Sequence, residues 1–174
     1  MSEVTEKKEV WSDATLAFLL LRLWLGMRAV VTGLEKFSTT VTEKKPLIDA
    51  DGVADATGAM VLVKSKVYAF ANYAAVKGAL AKQLANEPLL PEFMRKPYYA
   101  VLGYALIATG LMLLLGIGTR TSLFLMGLLY ISLTYGLILL GQDAGVAWLA
   151  MHMGLVAGAL LLAKHNRLAL MNRF

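Results

Sequence analysis

The chain has 174 residues, 58% of them hydrophobic, a formal net charge of +5 and no cysteine. Absence of thiols excludes thiol–disulfide exchange, iron–sulfur ligation and thiolate zinc sites, while leaving the compartment open. A mean hydropathy of +0.62, with the basic residues placed in loops and tails, points to a small integral membrane protein and away from nucleic acid as a partner.

Residues 1–13 read as a polar tail, with Lys7 and Lys8 against Glu3, Glu6, Glu9 and Asp13. No small-residue cleavage site follows the first apolar run, so no cleavable signal peptide is expected. Four stretches then approach the ~20 apolar residues that a bilayer crossing requires: Ala14–Leu34, Tyr98–Gly118, Thr121–Gln142 and Ala144–Ala163. Runs of this length are helices, because barrel strands are shorter and alternate. The last three carry almost no charge, whereas span one contains Arg22 and Arg28. Ionised groups at membrane depth are expensive and mark a structural or functional requirement.

Spans one and two are separated by residues 35–97. Thr39–Thr42 and Asp49–Gly58 read as turns. Val63, Val67, Phe70, Ala74, Ala81 and Leu84 recur at helical spacing among Lys64, Lys66, Lys77 and Lys82, which predicts an amphipathic helix from Met60 to Leu84. Two placements fit it: the membrane–water interface, capping the bundle, or a docking surface for a protein outside the membrane. Pro97 is expected to open span two as a first-turn proline. The later connections, Gly118–Arg120 and Gln142–Asp143, force antiparallel neighbours. The fold class is therefore all-α: an integral membrane four-helix bundle over residues 14–174, with a long, partly helical extracytoplasmic segment between helices one and two. Lys164, Arg167, Arg173 and Arg120 against a lone Asp143 place both termini in the cytoplasm by the positive-inside rule.

On a helix of 3.6 residues per turn, Arg22, Gly26, Ala29, Gly33 and Lys36 fall within about 40° of one direction. This narrow, small, cationic face suits close helix packing. Arg22 then points into the bundle, towards His152 or hydroxyls such as Thr109, Ser132 and Thr134. It either fixes helix packing there or lines a polar cavity that holds an anion, a quinone oxygen or a proton path. Arg28 points about 120° away from it and could snorkel. His152 follows Trp148 by one turn. It is either a hydrogen-bonded packing residue or, with Trp148, Tyr130 and Arg22, part of a headgroup pocket for a quinone. Arg28 and Lys36 are the candidate anion-binding residues at the outer end. With His165 the only other histidine, neither haem nor a metal is expected within this chain alone. Gly154 and Gly158, like Gly103 and Gly110, suit helix-packing faces. Asp49–Asp55 has a faint calcium-loop look, but lacks the register and distal glutamate of an EF-hand and reads as a turn.

Leu21-Arg22-Leu23-Trp24-Leu25-Gly26, followed by Gly33-Leu34-Glu35-Lys36-Phe37, and then Leu115-Gly116-Ile117-Gly118-Thr119-Arg120, resemble the signature positions of the DoxX/DoxD family of small four-helix membrane proteins. The spacing of the last two helices is also similar. The resemblance carries over to Arg22, Gly26, Gly33 and Lys36; segment 35–97 is longer than in the shortest members. It implies a bacterial or archaeal cytoplasmic membrane and a quinone-linked electron-transfer setting. DoxD-type members are the membrane subunit of thiosulfate:quinone oxidoreductase. Two functions follow as expectations. One is a subunit of a quinone-dependent redox complex, working with other membrane or extracytoplasmic redox subunits. The other is a non-catalytic accessory subunit stabilising a larger membrane complex. A small transporter fits less well, because no inverted repeat is visible.

Overall fold

The structure is a computed structural model that describes residues 12–48, 57–167 and 169–170. Its frame is four long helices: α1 (Asp13–Glu35), α3 (Glu92–Leu115), α4 (Thr119–Leu139) and α5 (Asp143–Leu162). A shorter helix, α2 (Gly78–Ala85), precedes α3. All four long helices are long and apolar enough to cross a membrane. Between 22% and 33% of each most apolar window is buried, so most of the apolar surface faces outward, where lipid rather than water can cover it. The helices run antiparallel in turn, α1 beside α3 and α5, with α4 between α3 and α5.

Local sequence sets the helix ends. Ser12 caps α1, its Oγ accepting from the Thr15 amide at 3.3 Å, with Asp13 in the first turn where the helix dipole favours a carboxylate. Gly116 closes α3 at φ +73°, a conformation that a side chain resists. Its amide donates to the Leu113 carbonyl, and that of Ile117 to Met112, which completes a Schellman cap. Gly118, φ +51°, then opens α4 directly. The apolar bundle core includes Phe18, Leu25, Leu113, Leu123, Met126 and Val156.

The small face of α1 meets α3. Arg22, Gly26, Ala29 and Gly33 are all buried. A Cβ on Gly110 would stand 2.8 Å from the Gly26 carbonyl oxygen, and one on Gly33 would stand 2.9 Å from that of Gly103. The two backbones approach this closely because no side chain intervenes. Gly154 and Gly158 behave otherwise: a Cβ at either meets nothing within 4 Å, so the expected packing role of that α5 pair is not observed.

The segment between α1 and α3 corrects the all-α expectation. It contains an antiparallel hairpin, β1 (Ser38–Pro46) with β2 (Met60–Tyr68), in a nine-pair register from Ser38 opposite Tyr68 to Pro46 opposite Met60. The predicted helix Met60–Leu84 is instead strand β2, a 3-10 turn (Phe70–Asn72) and α2, and Thr39–Thr42 lie in β1 rather than in a turn. Val61, Val63 and Val67 also alternate at period two, and the β-branched content of both strands decides for the extended form. Pro97 is the other correction. It sits inside α3, which starts at Glu92 after the cap residue Pro91. The partner that Pro97 denies a hydrogen bond is the carbonyl of Phe93, a residue 75% exposed, so water can satisfy that carbonyl. The predicted tail over residues 1–11 and the Asp49–Asp55 turn lie outside the described residues.

Candidate functional site

Three stations carry the polar chemistry: the far end of the bundle, its middle, and the hairpin end. At the far end, Arg22 is 5% exposed, and its Nη1 donates to Asn166 Oδ1 at 2.9 Å. Asn166 Nδ2 donates in turn to Thr119 Oγ1 at 2.8 Å. A Cβ on Gly116 would stand 3.0 Å from Arg22 Nη1, so the guanidinium lies level with the α3–α4 turn. The expected aim of Arg22 at His152 or at hydroxyls of spans two and three is thereby corrected. Thr109 bonds the Ala105 carbonyl at 2.7 Å, and Thr134 bonds that of Tyr130 at 2.7 Å. Ser132 joins Leu129 at 2.7 Å and the Tyr98 hydroxyl at 2.9 Å. Small polar side chains in helices satisfy themselves on the preceding turn.

The middle station holds Tyr130, His152 and Trp148. The Tyr130 and His152 rings meet edge-on at 5.7 Å, and the Trp148 ring lies 6.5 Å from the imidazole. His152 Nδ1 bonds the Trp148 carbonyl oxygen at 2.8 Å. A carbonyl only accepts, so Nδ1 carries the proton and, in the neutral ring, Nε2 presents a lone pair. Nε2 is buried with no hydrogen-bond partner, and so is the hydroxyl of Tyr130. These residues are 6% and 4% exposed, in surroundings where an unmet polar atom costs about 1–3 kcal/mol each. Trp148 itself is 60% exposed and flanks the pair on the outside.

The cation at this level is Arg28. It lies six residues, about 9 Å along the axis, from Arg22, and about 10 Å from Glu35. Its charge acts on the Tyr130 hydroxyl, and among the described residues it makes no hydrogen bond or ion pair. Of the residues expected to share a pocket, Tyr130, His152 and Trp148 lie together, whereas Arg22 lies at the far end of the bundle. The 120° offset between the two arginines was visible in the sequence; that it buries Arg22 and leaves Arg28 exposed was not.

At the hairpin end, Glu35 organises the junction. Its carboxylate receives Lys66 Nζ at 2.5 and 2.6 Å, the Tyr68 hydroxyl at 3.1 Å and Ser38 Oγ at 3.3 Å. This pairing holds the Lys66 ammonium above the usual lysine range. Lys77 Nζ donates to the carbonyl of Glu35 at 2.7 Å, which α1 leaves open at its C-terminus, to that of Ser38, and to Ser38 Oγ at 3.0 Å. Beside them Tyr73 enters the ladder of α3: its hydroxyl donates to the Tyr99 carbonyl and accepts from the Gly103 amide at 3.1 Å. Phe37, Tyr73 and Tyr104 stack around it with centroids 4.8–5.3 Å apart. Lys36 is half-buried here, and burial together with the Lys77 charge lowers its pKa. Lys36 and Arg28, expected together, occupy separate stations. The sequence reading missed Asn166, Tyr73 and the structural task of Lys77; no local pattern marks any of them.

Among the described residues, no three His, Asp or Glu side chains converge as metal ligands would. Comparison of the chain with protein-family models, with curated proteins and with solved structures finds no match.

Proposed function

We propose that this chain is the membrane subunit of a quinone-linked redox complex, with Tyr130, His152 and Arg28 as its headgroup station. The observation that carries the reading is the pair of buried, unpartnered polar atoms at mid-bundle, Tyr130 Oη and His152 Nε2. A quinone offers carbonyl oxygens and its reduced form offers hydroxyls, and the bound carrier would supply the two-electron chemistry. The Tyr130 hydroxyl can donate to a carbonyl, the Nε2 lone pair can accept from a hydroxyl, and Arg28 adds positive charge that favours electron density on the ring oxygens. Trp148 gives the apolar flank that such headgroup sites share. The resemblance to DoxX/DoxD proteins supports the same setting.

In this reading the chain lies in a bacterial or archaeal cytoplasmic membrane. Its termini are cytoplasmic, beside Arg120, Lys164 and Arg167, and the hairpin is outside. Electrons pass to or from partner subunits. If thiosulfate is the donor, a chain without cysteine holds it by cations and forms no covalent sulfur intermediate. The test is binding of a short-chain quinone analogue to the purified protein in nanodiscs. Tyr130→Phe and His152→Leu are each expected to weaken it about tenfold, equal to about 1.4 kcal/mol, and Arg22→Gln to leave it unchanged. Equal affinity across all four proteins overturns the reading.

The second reading is a non-catalytic accessory subunit. It is favoured by the hairpin, whose residues are exposed over nearly their whole length, since an isolated two-stranded ribbon is marginal in water. Purification in mild detergent decides it: a stoichiometric partner supports it, and a chain that migrates alone counts against it.

A further inference from the structure

The hairpin end contains a cleft of about 440 Å³ bounded by Glu35, Lys36, Ser38, Lys77 and the apolar Ala75 and Leu80. Among the described residues its one carboxylate is already engaged, since both Glu35 oxygens face Lys66 at 2.5–2.6 Å. Lys77 directs its protons to carbonyl and hydroxyl oxygens of Glu35 and Ser38, and among the described residues it has no ion pair. Lys36 makes no hydrogen bond or ion pair among the described residues, although it is half-buried and close enough to feel Lys77. Two cations in one recess of reduced dielectric repel each other unless an anion joins them. Thr39 and Thr40 of β1 also border the cleft.

We propose that this cleft is a binding site for a phosphate-type oxyanion, with Lys36 as its direct ion partner and Lys77 as the second charge. The proposal stands apart from the quinone station, which lies at mid-bundle. The cleft sits at the end of α1, where a bilayer surface would meet the bundle, and it has an apolar wall. The phosphate can therefore belong to an anionic lipid headgroup or be free in solution.

The experiment uses the full chain in phosphatidylcholine nanodiscs. One arm titrates inorganic phosphate. The other replaces part of the lipid with phosphatidylglycerol, adds no phosphate, and detects retained lipid by native mass spectrometry. Binding in the first arm identifies a free anion, and retention in the second identifies a headgroup. In whichever arm binds, Lys36→Gln is expected to weaken binding about tenfold. Lys36→Arg keeps the charge and should retain binding. Lys64→Gln removes an exposed charge on β2, away from the cleft, and should leave binding intact. Absence of binding in both arms, or equal losses in the Lys36→Gln and Lys64→Gln proteins, overturns the proposal. Loss in the Lys36→Arg protein equal to that in Lys36→Gln overturns the ion-pair role of Lys36.

Discussion

Arg22 Nη1 donates to Asn166 Oδ1 at 2.9 Å, across the far end of the bundle from the hairpin. This one bond joins the first helix to the segment that follows the last. Through Thr119 it also reaches the glycine-rich α3–α4 turn. Two sequence motifs far apart in the chain, Arg22-x-x-x-Gly26 and Gly116-x-Gly118-Thr119, thus meet at one place. Arg22 thus has a structural partner at the end of the bundle.

Asn166→Ala is expected to destabilise the protein by about 1–3 kcal/mol, because a partly buried hydrogen bond to a charged group is lost. Asn166→Asp should recover much of the loss by offering a carboxylate to the guanidinium. Unfolding in mixed detergent micelles measures both. Unchanged stability of the alanine variant would remove Asn166 from the account of how α1 is anchored.

The glycines make a paired prediction. Gly110→Ala pushes a methyl group to within 2.8 Å of the Gly26 carbonyl, so α1 and α3 must separate. The expected loss is about 1–3 kcal/mol, as for other overpacked interfaces. Gly154→Ala meets open space, and should be neutral or stabilise by up to about 1 kcal/mol, since alanine is the better helix former. The same unfolding measurement compares them, and equal effects would contradict the observed α1–α3 contact.

Stability and affinity are expected to move in opposite directions at the middle station. Tyr130→Phe removes a buried hydroxyl that has no partner, so the protein without a quinone should gain about 1 kcal/mol. The same variant should bind the quinone analogue more weakly. A purely structural hydroxyl would show a stability loss and no change in binding.

The Lys36 cleft predicts a pH dependence. Burial and the Lys77 charge lower the Lys36 pKa in the folded protein, so it releases its proton before an unfolded-state lysine would. Without anion, the unfolded state binds more protons across that interval, and stability rises with pH through it. Bound phosphate favours the charged ammonium, so the rise in melting temperature given by phosphate should be largest at lower pH. It should fade as pH approaches the ordinary lysine range from below. The groups facing Lys36 are Lys77 and the Glu35 carboxylate, which Lys66 and Tyr68 already hold. Melting curves against pH, with and without phosphate, check this, and Lys36→Gln should flatten the difference.

The four helices, their antiparallel order and the small-residue face of α1 were legible in the amino-acid pattern. Those features depend on span length, short connections and helical period, which are local quantities. It misassigned segment 35–97, because Val63, Val67 and Phe70 fit a helical period while Val61, Val63 and Val67 fit an alternating one, and local pattern could not choose between them. The partners came from the packing of the elements: which neighbour lies beside each face of α1, and that Arg22 meets Asn166. Those pairings join residues far apart in the chain, and only the packing of one helix on another brings them together.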